Sequence, residues 1–177
     1  MRKDGHILPD VLNRNLDLVI CGTAAGKYSA ASHAYYAHPT NKFWKILNQS
    51  GLTPIELVPQ DYQKVIEFRI GLTDMAKNTF GSDSELVDDD FDAAGFEMKI
   101  KKAQPRFIGF NGKTSAKAYL NRRRVDYGLQ TARIGETRLF VLPSTSARAH
   151  SHWNSGYWFE LAELVKKTIR TERCLNE

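Results

Sequence analysis

The sequence predicts an α/β fold: three layers, α/β/α, around a central, mostly parallel four-stranded sheet. Two observations carry this. Three short apolar runs, LDLVIC at 16–21, RFIGF at 106–110 and TRLFVL at 137–142, end at glycine, asparagine-glycine or proline, as buried strands do. Helical patterns separate the runs, and such alternation covers both faces of a parallel sheet. A chain of 177 residues suits one domain, 1–177, and buries a core without disulfides or metals.

Each element has its own warrant. The first strand, 16–21, stops at Gly22, and residues 28–40 read as loop, with Pro39 restricting His38. Residues 41–51 place Phe43, Trp44 and Leu47 at helical spacing, and Gly51 is a stop. Thr53-Pro54 fits the start of another helix. Residues 65–72 read as a short strand or irregular edge that opens at Thr73-Asp74-Met75 into a loop continuing through 78–84. A helix is predicted over 93–102. Pro105 leads into the strand at 106–110, Asn111-Gly112-Lys113 is a turn, and 114–120 is the next helix. After a polar turn at Gly135-Glu136 comes the strand TRLFVL, then Pro143 to Ser146, and 156–170 is a closing amphipathic helix. Ligands of open α/β sheets bind beyond the carboxyl ends of the strands. The loops starting at Gly22, Thr73, Asn111 and Pro143 are therefore the candidate sites.

Composition narrows the function classes. The net charge is +5 and the pI about 9.2, which permits nucleic-acid binding without requiring it. Acidic residues gather over 83–92 and basic ones over 99–102 and 113–124, with Arg148 alone in a loop. Cys21 and Cys174 lie far apart, which favours a reducing compartment. Five histidines show no convincing metal spacing, so neither metal nor cofactor is expected. The start, MRKDGHILPD, lacks an apolar h-region, and no run of 18 apolar residues occurs. Neither a signal peptide nor a membrane span is expected. GTAAG at 22–26 is neither a dinucleotide fingerprint nor a phosphate loop. With YYAHPTNKFW at 35–44 it makes a small-residue floor and an aromatic wall, suited to a flat, weakly charged ligand such as a nucleobase.

Five stretches carry a resemblance to the uracil-DNA glycosylases. Gly22-Thr23-Ala24-Ala25-Gly26 matches a motif of glycine, small residue, asparagine, proline and glycine. Ala37 to Trp44 matches AHP-x-N-x-FW, the most specific of the five. Gly71-Leu72-Thr73, Gly112-Lys113 and Leu142 to His150 match the remainder. The chain resembles the mismatch-specific uracil and thymine branch most closely, with likeness to hypoxanthine-DNA glycosylases, from about residue 7 to residue 166. The resemblance implies a monofunctional DNA-repair enzyme that flips uracil out of DNA, probing double strands, and hydrolyses its N-glycosidic bond. Hypoxanthine is the alternative substrate, and a non-catalytic reader of damaged bases the alternative class. Free uracil would be the product. The protein is expected to be a cytoplasmic monomer of bacterial type, associated with the nucleoid when bound to DNA.

The resemblance also implies roles. Gly22, Thr23 and Ala24 form the base floor, and Tyr36 stacks on the base. Asp74 aligns near the base edge, with Asn78 the nearby alternative. Arg148 aligns with the wedge that fills the vacated helix. From chemistry alone, Asn111 carries a carboxamide able to read uracil bidentately, or serves the turn before Gly112. His38 donates to a base oxygen or fixes its loop. Asn41 caps the following helix. Lys113, Ser144, Thr145 and Ser146 supply donors for DNA phosphates. Ala24 stands where relatives carry the asparagine or aspartate that handles water, Ala25 replaces the proline, and Ser144 replaces asparagine or histidine. Three explanations follow: Asp74 holds the water, leaving-group stabilisation suffices, or the protein binds damage without cleaving.

Overall fold

The computed structural model describes residues 5–175. Five strands, β1 (Leu18–Ala25), β2 (Ile70–Phe80), β3 (Phe107–Asn111), β4 (Gly128–Ile134) and β5 (Thr137–Leu142), form one sheet in the order β2-β1-β3-β5-β4. Four run parallel, and β4 pairs antiparallel to β5 at the edge. The sheet is thus five-stranded and mixed, which corrects the four-stranded expectation. Exposed and intermediate positions dominate β4 (GLQTARI), because an edge strand needs little apolar surface. Its run is too polar to stand out, and the Gly135-Glu136 turn is the tip of a hairpin.

Helices α1 (Lys27–Ser32), α2 (Phe43–Gln49), α3 (Ala93–Ala103), α4 (Lys113–Leu120) and α5 (Gly156–Leu175) complete the layers. Side chains of a strand alternate between faces, and β1 shows the consequence. Leu18 and Ile20 join Phe43, Trp44, Leu47, Trp158 and Leu161 on one side. Val19 and Cys21 join Phe96, Ile100 and Ala116 on the other. None of the described helices is long and apolar enough to cross a membrane.

Three local readings change. The segment expected as loop after β1 contains the short helix α1. The helix expected at Thr53-Pro54 does not form, and a 3₁₀ helix runs instead over Pro59–Phe68. Finally, Thr73, Asp74 and Met75 lie inside β2 rather than in a loop. The N-terminal segment runs antiparallel along β2, with Ile7 N donating to Lys77 O at 2.8 Å and Val11 paired to Leu72. It covers an edge that would otherwise present open hydrogen-bonding groups.

Candidate active site

Strand register builds the centre of the site. Gly22 of β1 pairs with Asp74 of β2, and Cys21 pairs with Phe110 of β3. Asn111, one residue beyond Phe110, therefore flanks Gly22 on the side opposite Asp74. All three positions share the strand face of Ile20, Leu72 and Phe107, toward α2 and α5. A carboxylate and a carboxamide thus stand on either side of a bare glycine at the carboxyl end of the sheet. A Cβ on Gly22 would collide with Asp74 Oδ1 and lie 3.1 Å from the Tyr36 hydroxyl.

Tyr36 reaches this row from the turn before α2. Its backbone sits in the left-handed region, φ 52°, a conformation that costs a bulky residue about 1 kcal/mol or more. The surrounding turn holds it there. Ala37 N donates to Ser29 Oγ at 3.0 Å, and Trp44 Nε1 donates to Tyr35 O at 3.1 Å. Phe43 stacks on the Tyr36 ring at 3.8 Å between centroids. The residue is half-buried, but its hydroxyl is fully buried and finds no partner of ordinary geometry among the described residues, although Asn111 faces it. Burial, then the neighbouring Asp74, push the phenol well above its ordinary range. A buried polar group without a partner is costly, and this one lies beside Gly22 and Asp74 at the strand ends.

Asp74 is 4% exposed. Burial pushes its carboxyl up to about 6, against the opposing pull of Lys77 and Lys99 and a hydrogen bond from the Tyr35 hydroxyl, and with a push from Asp10. Such a group changes protonation near neutral pH, as an acid-base catalyst must.

Both polar atoms of the Asn111 carboxamide, the pair expected to read a base, already have a partner in Thr145. Asn111 Nδ2 donates to Thr145 Oγ1 at 2.9 Å, and Asn111 Oδ1 accepts from Thr145 N at 3.0 Å. Thr145 O in turn accepts from Lys42 N at 3.0 Å. This chain ties the end of β3, the loop after β5 and the start of α2 together. Asn111→Ala is expected to cost about 1–3 kcal/mol, because Thr145 keeps a buried amide and hydroxyl with no partner. The urea midpoint reads the loss, and an unchanged midpoint would show the loop is held by other contacts.

The remaining candidates take varied places. Thr23 is buried and Ala24 half-buried beside Gly22 in β1. Asn78 is exposed farther along β2. His38 is exposed and closes its own turn, its Nδ1 at 2.8 Å from Thr40 Oγ1 and 5.4 Å separating its ring centroid from that of Tyr28. Asn41 Oδ1 accepts from Phe43 N at 3.0 Å, the capping role expected of it. Ser144 packs beside Gly112, and its Oγ accepts from Ser146 N, while Ser146 Oγ accepts from Arg148 N. Thr145 is fully buried, so its hydroxyl faces Asn111 rather than solvent. Lys113 lies 4.3 Å over the Tyr127 ring and Lys42 5.2 Å over Trp153. Arg148 is exposed in a 3₁₀ helix, Ala147–His152.

Sequence reading missed a polar cluster behind Asp74. Lys77 Nζ lies 2.9 Å from Asp10 Oδ1 and donates to the Tyr35 hydroxyl at 2.9 Å. Lys99 Nζ lies 2.9 Å from Asp10 Oδ2, and Thr73 Oγ1 donates to Asp10 Oδ1 at 2.7 Å. The spacing of Asp74 and Lys77 gives no signal, because residues three apart on a regular strand point to opposite faces. Only recognition of β2 as a long buried strand would have marked that lysine as unusual.

Comparison with known proteins agrees with this architecture. The solution NMR structure of a candidate uracil DNA glycosylase from Methanosarcina acetivorans matches with a TM-score of 0.62 and 22% identity, covering 90% of this chain and 96% of that one. At that identity the likeness concerns the fold. A family model described as the uracil DNA glycosylase superfamily matches residues 9–164, a span that includes β1 to β5 and the whole Asp74–Gly22–Asn111 row. By that match the chain belongs to the uracil DNA glycosylase superfamily.

Proposed function

We propose that the protein removes uracil from double-stranded DNA by hydrolysing the bond between base and deoxyribose, acting as a cytoplasmic monomer. The observation that supports this most is the Asp74–Gly22–Asn111 row under the Tyr36 hydroxyl. A base in duplex DNA must leave the stack before a protein reaches its glycosidic bond. In this reading the extruded uracil lies against the Tyr36 ring, which Phe43 backs. The bare Gly22 leaves the space that the Asp74 carboxylate and the Tyr36 hydroxyl occupy.

Asp74 then takes the role that Ala24 has no side chain to fill. As a carboxylate it accepts a proton from the attacking water while the glycosidic bond breaks. The electron pair of that bond leaves with uracil, and water's oxygen joins the sugar carbon. No lysine adduct forms and the strand stays intact. Outside the pocket, Lys113 and the Ser144 and Ser146 segment contact phosphates, and Arg148 fills the space the base vacates. Phosphate contacts hold position and make binding salt-dependent.

Purified protein incubated with duplexes containing uracil, hypoxanthine, a thymine mismatch or no lesion tests the reading. Alkali-labile abasic sites are expected from the uracil duplex above all. Hypoxanthine as the main substrate would overturn the assignment of uracil, and product from no lesion at all would overturn the enzyme. The single-turnover rate should rise with pH through about 6, since carboxylate Asp74 is the working form. A rate already constant at and below pH 5 would remove Asp74 as the base.

A further inference from the structure

We propose that the buried Asp10–Lys77–Tyr35 chain is a positioning device for Asp74, in which the Lys77 ammonium fixes the Tyr35 hydroxyl so that its proton is presented to the Asp74 carboxylate. The idea deepens the glycosylase reading, but its geometric part stands without it.

Lysine is seldom buried in a strand unless paired, and Lys77 is 7% exposed. Its ammonium has two partners in fixed directions, Asp10 Oδ1 and the Tyr35 hydroxyl, each at 2.9 Å. An ammonium only donates, so the Tyr35 oxygen accepts from it. The phenolic proton is therefore not used by Lys77, and Asp74 is the neighbouring carboxylate on which the Tyr35 hydroxyl acts. Tyr35 cannot drift from this task. It is 1% exposed, its ring packs on Tyr62 at 5.4 Å between centroids, and its carbonyl is held by Trp44. Asp10 anchors the far end through Lys99 and Thr73.

The arrangement also balances charge. Two ammonium groups, Lys77 and Lys99, share Asp10, whose carboxyl stays below its usual range because the lysines outweigh the effect of its burial. One positive charge is left over, and ionised Asp74 offsets it. The other groups near Asp74 are Tyr35, Tyr36 and Cys21, all held neutral by burial with Asp74 adding to the effect. The cluster thus opposes the cost of burying the Asp74 charge. Lys77 and Asp10 act on it with opposite signs.

Opposite signs give the test. The Asp74 side-chain carboxyl carbon is titrated by NMR in the wild type and in Lys77→Met, Tyr35→Phe and Asp10→Asn. Removing a positive charge or a donor raises the midpoint, so Lys77→Met and Tyr35→Phe should move it up by about one pH unit. Asp10→Asn should move it down. The acidic limb of the rate profile should follow the same order. Midpoints unchanged in folded variants, or shifted in one direction by all three, would overturn the proposal. Should Lys77→Met fail to fold, Tyr35→Phe and Asp10→Asn still give opposite predictions. The titration needs no activity, so a protein that cleaves no lesion refutes the glycosylase reading and leaves this one to be decided by NMR.

Discussion

Asp74→Asn should lower the single-turnover rate of uracil release about a hundred- to a thousand-fold, with the pH dependence near 6 gone. The size is that of a lost general base. Asparagine has nearly the same shape and still accepts from the Tyr35 hydroxyl, so the pocket stays in place. What disappears is the group able to take a proton. A variant that keeps the wild-type single-turnover rate would remove Asp74 from the water's side of the reaction. Uracil affinity in the same variant should change far less, because Tyr36 and the floor remain.

The same substitution has an opposite effect on stability. Burial lifts the folded-state Asp74 above the ordinary value of 3.8, to about 6. The native protein therefore holds this proton to higher pH than the unfolded chain does. Below about pH 4 both states are protonated and burial of the charge costs nothing. Between about pH 4 and pH 6 only the unfolded chain ionises, so stability falls across that window, and above it the full cost, about 3 kcal/mol, is present. Asp74→Asn should accordingly be more stable than the wild type at pH 8, with the gain vanishing near pH 4. Urea unfolding at the two pH values measures this. Stability given up at a reacting group is a common feature of active sites.

How much of this was legible in the chain depends on where polar residues fall. The strands β1, β3 and β5 announce themselves, because each is buried on both faces and reads as a continuous apolar run. Helix α2 is legible from Phe43, Trp44 and Leu47, all of which enter the core. By contrast, β4 is hidden by its exposed edge position. The far half of β2 is hidden for a different reason. Thr73, Asp74 and Lys77 look like loop residues by hydropathy, yet they are buried. Their partners, Asp10, Tyr35 and Lys99, come from three other parts of the chain. A hydropathy pattern records the cost of burying a lysine but not the distant carboxylate that offsets it. The candidate site divides in the same way. Tyr36, Asp74 and Asn111 were readable as residue types near strand ends. That Asn111 is tied to Thr145, and that Lys77 joins Asp10 to the Tyr35 hydroxyl, depends on packing between segments distant in sequence.

Gly22→Ala should reduce the rate about a hundred-fold, although alanine is an ordinary strand residue and the Gly22 backbone is not in the left-handed region. The reason is space. A methyl group there meets Asp74 Oδ1 inside van der Waals contact and lies 3.1 Å from the Tyr36 hydroxyl. Both side chains belong to the proposed machinery, and one of them must move. A displacement near 1 Å at a reacting group costs about two orders of magnitude in rate. Overpacking should also cost about 1–3 kcal/mol, read as a lower melting temperature. Gly26 is the control within the same motif, since a Cβ there meets nothing within 4 Å, and Gly26→Ala should leave rate and melting close to wild type. A Gly22→Ala enzyme with the wild-type rate would mean that Asp74 and the Tyr36 hydroxyl can part without consequence, and the strand ends would then not be the place where the bond is broken.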